Sequence, residues 1–258
     1  MSLPGSHSSL PLLAALLWAL SPLAARAAHP LITEDTGTQG RGHFQAELTN
    51  EQFTIQEDAG KQKLALTTLT LTYGAADSVD ILISVPYLKL GASASNGTSG
   101  TQGTGDLGLD VKWRFYEEDK LSVAIKSGFT IPTGDNVLNL GAGRYTWSAY
   151  VVSSYALERW AFHLHLGYLH FSNTQYDRVN IWHASVAAER KLTDDLKFVI
   201  DTGVDTNTDT ASKNNLVFLL AGLVYSPRPN IDLDVGYKIE STDTLRANAL
   251  LSGLTLRW

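Results

Sequence analysis

The residues of this chain that could do chemistry are charged and imidazole side chains, spaced two apart within apolar segments. The clearest example is residues 104–116, in which Asp110, Lys112 and Arg114 alternate with Val111 and Trp113. Side chains of a β-strand alternate between its two faces, so the charges share one face and the apolar residues share the other. Such charges could select solutes in a pore, or could pair with one another and fill an interior.

The same alternation assigns further polar residues to the charged faces of other predicted strands. The candidate lining residues are Asp110, Lys112, Arg114, Lys126, His163, His165, Asp201, Asp232, Asp234, Lys238 and Glu240. Their types and spacing do not decide between a selective pore and a salt-bridged interior.

Three histidines offer imidazole ligands to a metal. His163 and His165 share one strand face, and His183 lies on the next predicted strand. Protein metal sites usually combine imidazole with carboxylate or thiolate ligands, and no carboxylate of suitable spacing flanks these residues. The histidines are therefore interpreted as ordinary polar lining, and we predict no metal and no cofactor.

Hydrolysis is a second possible chemistry. The element His170-Phe171-Ser172-Asn173 resembles the H-x-S-N element of outer-membrane lipases and lipid A deacylases, and His183-Ala184-Ser185 has the same spacing. A serine nucleophile needs a base and a third group that orients the base. The sequence identifies no such group, and Thr174 stands where those families favour Gly. We predict a protein that is not an enzyme, with a lipid hydrolase using His170 and Ser172 as the alternative.

The N-terminus is predicted to direct export. Residues 10–24 are apolar and are followed by Ala25-Arg26-Ala27, the pattern of a secretory signal peptide covering 1–27. Residues 28–41 form a lead-in that is rich in turn formers, and we expect it either inside a barrel lumen or in the periplasm. Residues 42–258 are predicted to form the barrel.

The barrel prediction depends on the number of alternating segments, which is even, as in single-chain bacterial outer-membrane barrels. The second strand changes parity near Thr67 and Thr68, which suggests a bulge, and the tenth is apolar on both faces. The twelve predicted strands cover residues 43–56, 62–74, 78–91, 104–117, 120–132, 144–157, 159–171, 178–191, 195–206, 215–226, 230–241 and 246–258.

The connections and the aromatic residues provide two further tests. Short turns alternate with longer loops at 92–103, 133–143, 172–177 and 207–214, the outer-membrane pattern of periplasmic turns and external loops. Aromatic side chains are expected to form a girdle at each membrane interface. The predicted periplasmic girdle comprises Tyr73, Trp113, Phe115, Tyr155, Trp160, Phe198, Tyr225 and Trp258. The predicted external girdle comprises Tyr87, Phe129, Tyr145, Trp147, Tyr168, Trp182 and Tyr237.

The C-terminus and the composition limit the kinds of partner that this chain can have. Leu254, Leu256 and Trp258 alternate to the chain end and resemble the signal that the outer-membrane assembly machinery recognises. The chain has no cysteine, which excludes disulfides and thiolate chemistry, and its net charge of −6 argues against nucleic acid as a partner.

Three segments carry a family resemblance: HPLITEDTGTQGRGHFQAELTNE at 29–51, TGDLGLDVKWRFYEE at 104–118 and IPTGDNVLNLGAGRY at 131–145. They are similar to the phenol degradation MetA-like family, a group of outer-membrane β-barrels. The resemblance implies the fold and the location, and it suggests passage of aromatic or other small hydrophobic compounds. It implies no catalytic or binding residue.

The sequence therefore predicts an all-β protein with a single transmembrane antiparallel β-barrel of about twelve strands in the bacterial outer membrane. The predicted function is passive uptake of small, aromatic or hydrophobic compounds through a pore governed by its width, lumen charge and loops. The alternatives are the lipid hydrolase and a closed structural barrel. The expected partners are the lipid bilayer, the assembly machinery and a small-molecule permeant.

Overall fold

The structure is a computed structural model that describes residues 29–57, 60–94, 97–210, 212–243 and 245–258. The predicted signal peptide at 1–27 lies outside these residues. The regular structure of the described residues consists of β-strands, and none of them forms a helix that could cross a membrane.

Thirteen strands follow one another along the chain. They are β1 (Phe44–Glu57), β2 (Gly60–Ala76), β3 (Val79–Ala94), β4 (Gly97–Thr104), β5 (Leu107–Glu118), β6 (Leu121–Ile131), β7 (Thr146–Ala156), β8 (Trp160–His170), β9 (Asn180–Lys191), β10 (Leu196–Asp205), β11 (Leu216–Arg228), β12 (Ile231–Ser241) and β13 (Arg246–Arg257).

Twelve of the strands close into one antiparallel barrel. Each pairs with its neighbours in the sequence, β3 pairs with both β2 and β5, and β1 pairs with β13 to complete the circle. The stacked rings of Phe44 and Trp258, 5.9 Å apart, lie where this closure is made. The predicted fold class and strand number are confirmed.

The extra strand β4 corrects one predicted loop. Residues 97–104 pair with the end of β3 that extends beyond β5, from Tyr87 to Ala94. The sequence predicted a loop over 92–103 because its Gly, Ser and Thr residues show no apolar alternation. Backbone hydrogen bonds need no such alternation, so the hairpin forms without the signal that identified the other strands.

The two ends of the barrel differ as predicted. One end has short turns, at 77–78, 119–120, 157–159, 192–195 and 229–230. The other end, called the external end below, carries the β3–β4 hairpin and the connections 132–145, 171–179, 206–215 and 242–245. Long loops at one end are the external loops of outer-membrane barrels.

The predicted faces are present around the barrel. Val111 is 47% exposed whereas its neighbour Lys112 is 5% exposed, and the same alternation continues along the other strands. The residues on the outside are apolar, and the predicted aromatic girdle residues are exposed there, apart from the half-buried Tyr168. Leu254, Leu256 and Trp258, which the sequence predicts to form an assembly signal, lie on the same outer side.

The predicted bulge in the second strand is wrong. The pairing of β2 with β1 runs without interruption from Gly60 to Tyr73, and the register shift against β3 falls at Gly74 to Ala76 instead. Leu64, Leu66, Thr68 and Thr72 are all buried on the inner face. What changes near Thr67 is therefore the chemistry of the inner face, which is apolar toward the external end and polar toward the other.

The tenth predicted strand, β11, is apolar on both faces for the same reason. Its inner residues Leu220 and Val224 are buried in an apolar cluster inside the barrel. We call the following residues of that cluster the apolar lumen patch: Phe53, Ile55, Leu64, Leu66, Leu88, Leu90, Leu220, Val224, Ala247, Ala249 and Leu251.

Candidate functional site in the barrel lumen

The lumen contains part of the chain that precedes β1, within residues 29–43. Residues 29–43 are called the N-terminal segment below; residues 29–36 run inside the barrel and most of them are buried, whereas residues 41–43 are exposed where the segment approaches β1. The segment then turns into β1 through Gly40 and Gly42, whose φ angles of 80° and 82° favour glycine. The sequence predicts that the lead-in lies either in the lumen or in the periplasm. In the structure its buried part lies in the lumen.

Glu34 is the electrostatic centre of this arrangement. Its Oε1 accepts a hydrogen bond from Lys112 Nζ at 2.9 Å, and its Oε2 accepts one from Lys126 Nζ at 2.5 Å. Asp35 Oδ1 lies 3.2 Å from the same Lys112 Nζ. The side chains of Lys112, Lys126 and Glu34 are almost completely buried, so each charge depends on the others for compensation.

Asp201 on β10 anchors the next part of the segment. Its Oδ2 accepts hydrogen bonds from the backbone N–H groups of Ile32 and Thr33, each at 2.7 Å. Its Oδ1 accepts a third hydrogen bond, from Thr33 Oγ1 at 2.6 Å. One buried carboxylate thus satisfies two backbone donors that have no strand partner.

The tip of the segment fits a slot made by small residues of the wall. His29 Nδ1 bonds to Asp234 Oδ1 on β12. A Cβ atom at Gly222 or Gly236 would lie 2.7 or 2.8 Å from a Pro30 ring atom, closer than real Cβ contacts allow. Leu31 is fully buried against the apolar lumen patch.

The other predicted lining residues lie along the lumen but differ in what they contact. His165 Nδ1 accepts a long hydrogen bond from Glu34 N at 3.4 Å, and His163 Nδ1 bonds to Ser154 Oγ at 2.8 Å. Toward the short-turn end, Arg114 and Asp232 pair with Glu117 and Arg257. Asp110 is buried on β5 and also takes part in an interaction.

Lys238 forms a second buried charge cluster, near the external end. Its Nζ lies 2.6 Å from Glu240 Oε1, 3.6 Å from Glu51 Oε2 and 4.7 Å from the Phe53 ring centroid. These side chains are buried within the apolar lumen patch, where unpaired charge would be costly. Pairing with two carboxylates and an aromatic face keeps the ammonium stable there.

Two features of the lumen were missed by sequence reasoning. Glu34 and Asp35 were not among the candidate residues, because the segment that carries them has no period to orient them. The apolar lumen patch was also missed, although the parity change in β2 and the doubly apolar β11 were its signals.

The histidines are engaged with neighbouring polar groups. His183 Nδ1 lies 2.7 Å from Asp205 Oδ1 and its Nε2 lies 2.8 Å from Ser185 Oγ. The His165 and His183 rings are 4.7 Å apart. The described part of the chain contains no group of three or more His, Asp or Glu residues arranged to hold a metal ion.

The predicted His170 and Ser172 pair does not come together as a nucleophile and base. His170 stacks on Trp147 at 5.7 Å and its Nδ1 lies 3.5 Å from the Tyr168 hydroxyl. The contact between His170 and Ser172 is a backbone hydrogen bond of 3.2 Å from Ser172 N to His170 O.

The second H-x-S element has the connectivity of a serine-hydrolase triad, with Asp205 as the orienting group that the sequence did not identify. Yet Ser185 Oγ also lies within hydrogen-bonding distance of Thr33 Oγ1, at 2.7 Å, and is buried beneath the N-terminal segment. The surrounding backbone N–H groups pair between β8, β9 and β10, which leaves no oxyanion hole in the wall. The geometry therefore fits an anchor for the segment better than a catalytic site.

Solved structures of outer-membrane barrels share this fold. An outer membrane channel from Pseudomonas putida F1 has a TM-score of 0.67 at 15% identity, covering 87% of this chain and 98% of that chain. The NanC porin has a TM-score of 0.57 at 13% identity, covering 81% and 98%. The Ralstonia pickettii toluene transporter TbuX has a TM-score of 0.50 at 10% identity, covering 84% and 89%.

These comparisons agree with the exposed apolar band and its aromatic girdles, and the protein is located in the bacterial outer membrane. The sequence matches no curated protein. A family model described as "Putative MetA-pathway of phenol degradation" matches residues 29–258, and the chain belongs to this family.

Proposed function

We propose that this barrel is an outer-membrane channel for the passive uptake of small apolar compounds, including aromatic ones. The observation that carries the proposal is the apolar lumen patch. A general porin has a polar, water-filled interior. Here Phe53, Leu66, Leu88 and Leu220 face inward on four different strands, which gives an apolar solute a surface that it can contact inside the barrel.

The comparisons support the same class of solute. The family description refers to phenol degradation, and a toluene transporter is among the similar folds. Phenol and toluene are small aromatic compounds that the outer leaflet of the outer membrane hinders. A barrel with an apolar inner wall could offer them a path around that barrier.

The N-terminal segment occupies this path in the state described here, so uptake requires it to shift. Its anchors are ion pairs and side-chain hydrogen bonds to Asp201, Lys112 and Asp234 of the wall, not a ladder of strand pairing. Segments held in this way open locally at a lower free energy than the strands around them. We infer that residues 29–36 move aside during uptake and that the barrel does not unfold.

The predicted lining charges take a specific role in this proposal. Lys112, Lys126, Asp201 and Asp234 hold the N-terminal segment in the closed state. Once the segment moves, the same residues would line the opened lumen and set its field. The same side chains would then stabilise the closed state and select solutes in the open one.

We also infer that the protein is not an enzyme. The similar folds described above are channels and a porin, and the triad-like set at Ser185 is covered by Thr33. Its hydrogen bonds are accounted for by anchoring of the N-terminal segment.

Uptake by intact cells tests the proposal, because apolar solutes cross protein-free phospholipid vesicles unaided. We expect cells that express the protein to take up radiolabelled toluene several-fold faster at first than matched cells without it. Leu66→Ser, in the apolar lumen patch, should reduce that rate, whereas the outward-facing Leu69→Ser is the matched control. Equal rates with and without the protein, at verified outer-membrane levels, would overturn the proposal.

A further inference from the structure

The β6–β7 connection, residues 132–145, folds inward at the external end. Leu140 is 3% exposed and belongs to the same apolar cluster as Leu88 and Leu90. Val137 and Leu138, in the same loop, are 83% and 43% exposed. Leu140 is thus the leucine of the loop that inserts into the mouth of the barrel, directly against the apolar lumen patch.

Asp106, between β4 and β5, fixes both ends of this loop. Its Oδ1 accepts a hydrogen bond from Gly134 N at 2.9 Å, and its Oδ2 accepts one from Ala142 N at 2.8 Å. Thr133 adds a connection to the same place, since its Oγ1 accepts from Leu107 N at 3.0 Å and donates to Gly105 O at 3.0 Å. The carboxylate therefore connects the two ends of the loop at Gly134 and Ala142, and Leu140 lies between them.

Glycines allow the close approach that this arrangement needs. A Cβ at Gly134 would lie 2.4 Å from Leu140 O, and a Cβ at Gly141 would lie 2.3 Å from Asp106 Oδ1. A Cβ at Gly105 would lie 2.8 Å from Leu88 Cδ1. A loop that only projected into solvent would not require glycine at these contacts. The fit indicates a defined closed position.

We propose that Leu140, positioned by Asp106, is the gate at the external mouth and sets the largest apolar solute that enters. This inference rests on the proposed uptake function. A solute arriving from outside meets Leu140 before it reaches Leu88 and Leu90. Leu140 closes the mouth through apolar contacts alone, so an apolar solute replaces those contacts when it displaces the side chain. A polar solute would have to lose its hydration without compensation.

Thiol labelling tests the closed position without any solute, because the chain has no cysteine. Leu140→Cys should react with a maleimide about tenfold more slowly than Leu138→Cys in the same loop. Adding Asp106→Asn should bring the Leu140→Cys rate up to that of Leu138→Cys. An amide presents one acceptor, and its NH₂ group repels the second backbone N–H. Equal rates at the two positions without Asp106→Asn would overturn the gate.

Uptake of a graded series of alkylbenzenes by expressing cells tests the size limit. We expect Leu140→Ala to admit larger members of the series several-fold faster than wild type, whereas Leu138→Ala should behave as wild type. An unchanged series for Leu140→Ala, with wild type still taking up toluene, would refute the gate alone. If wild type and both variants take up none of the series, the uptake function fails, and the gate fails with it.

Discussion

Lys112 on β5 and Lys126 on β6 lie directly opposite each other across the strand pair, and both point into the lumen. Like charges in this position destabilise a sheet. The Glu34 carboxylate bonds to both ammonium groups. The N-terminal segment therefore compensates the repulsion between two like charges of the barrel wall. The stability of this part of the wall and the closure of the lumen are therefore coupled.

Glu34→Gln should destabilise the barrel and release the N-terminal segment. Removing one partner of a buried ion pair costs about 3–5 kcal/mol, because the remaining charge is left uncompensated. Urea unfolding of the detergent-solubilised protein measures the cost. Glu117→Gln is the control, since Glu117 pairs with Arg114 at the exposed rim, where the change should stay within about 1 kcal/mol. Equal effects of the two substitutions would contradict the coupling.

Arginine at neighbouring positions of β5 should have opposite outcomes. Val111→Arg places a charge on the lipid face and should cost about 2–4 kcal/mol at the bilayer midplane. Lys112→Arg keeps the charge in the lumen next to Glu34 and should fold normally. Gel mobility before and after boiling reports folding. Normal folding of both variants would show that the assigned faces are wrong.

Gly236→Ala should displace the tip of the N-terminal segment without altering any charge. The new methyl group would lie 2.8 Å from Pro30, and overpacking of this kind costs about 1–3 kcal/mol. We expect conductance in planar bilayers to rise as the segment moves out. Gly91→Ala is the matched control, because its nearest contact is 3.8 Å away. An unchanged conductance for Gly236→Ala would mean that the tip does not restrict the pore.

The β8–β9 connection at 171–179 should be better ordered in mild acid. Burial, followed by the nearby charge of Asp209, raises the pKa of Asp177 to about 6 from the ordinary 3.8. The folded loop therefore holds a proton that the unfolded chain releases between these values, and stability falls as the pH rises through this window.

Hydrogen-exchange protection of the Arg178 amide, which donates to Thr208 O at 2.8 Å, measures this effect. Protection should decline between about pH 4 and 6 and should level off above that range. In Asp177→Asn it should remain at the level reached in acid. A wild-type profile as flat as that of Asp177→Asn would refute the assignment.

Ser185 should not react as a nucleophile. A fluorophosphonate probe is expected to leave the folded protein unlabelled, because Thr33 covers Ser185 Oγ and the backbone N–H groups of β8, β9 and β10 around it pair within the sheet. Ser185→Ala should instead weaken the hold on the N-terminal segment, measured as faster proteolysis of residues 29–36. Probe labelling that disappears in Ser185→Ala would overturn this interpretation and favour a hydrolase.

The alternation of residue types was sufficient to predict most of the barrel. Val111 and Lys112 were assigned to opposite faces correctly because the geometry of a strand fixes the side on which each side chain lies. The number of strands and the positions of the girdles follow from the same local rule. The strand β4 escaped prediction because its pairing depends on backbone groups, which every sequence supplies.

The contents of the lumen were decided only by the tertiary structure. No local pattern connects Glu34 to Lys112, Lys126 and the wall, since their contacts span 78 and 92 residues of sequence. The same is true of Asp106 and the loop that carries Leu140, which meet only when the barrel closes. The sequence by itself determined which side chains face inward, through the period of the strand. Which of them pair, and whether they line a path or close it, was decided by long-range packing around the N-terminal segment.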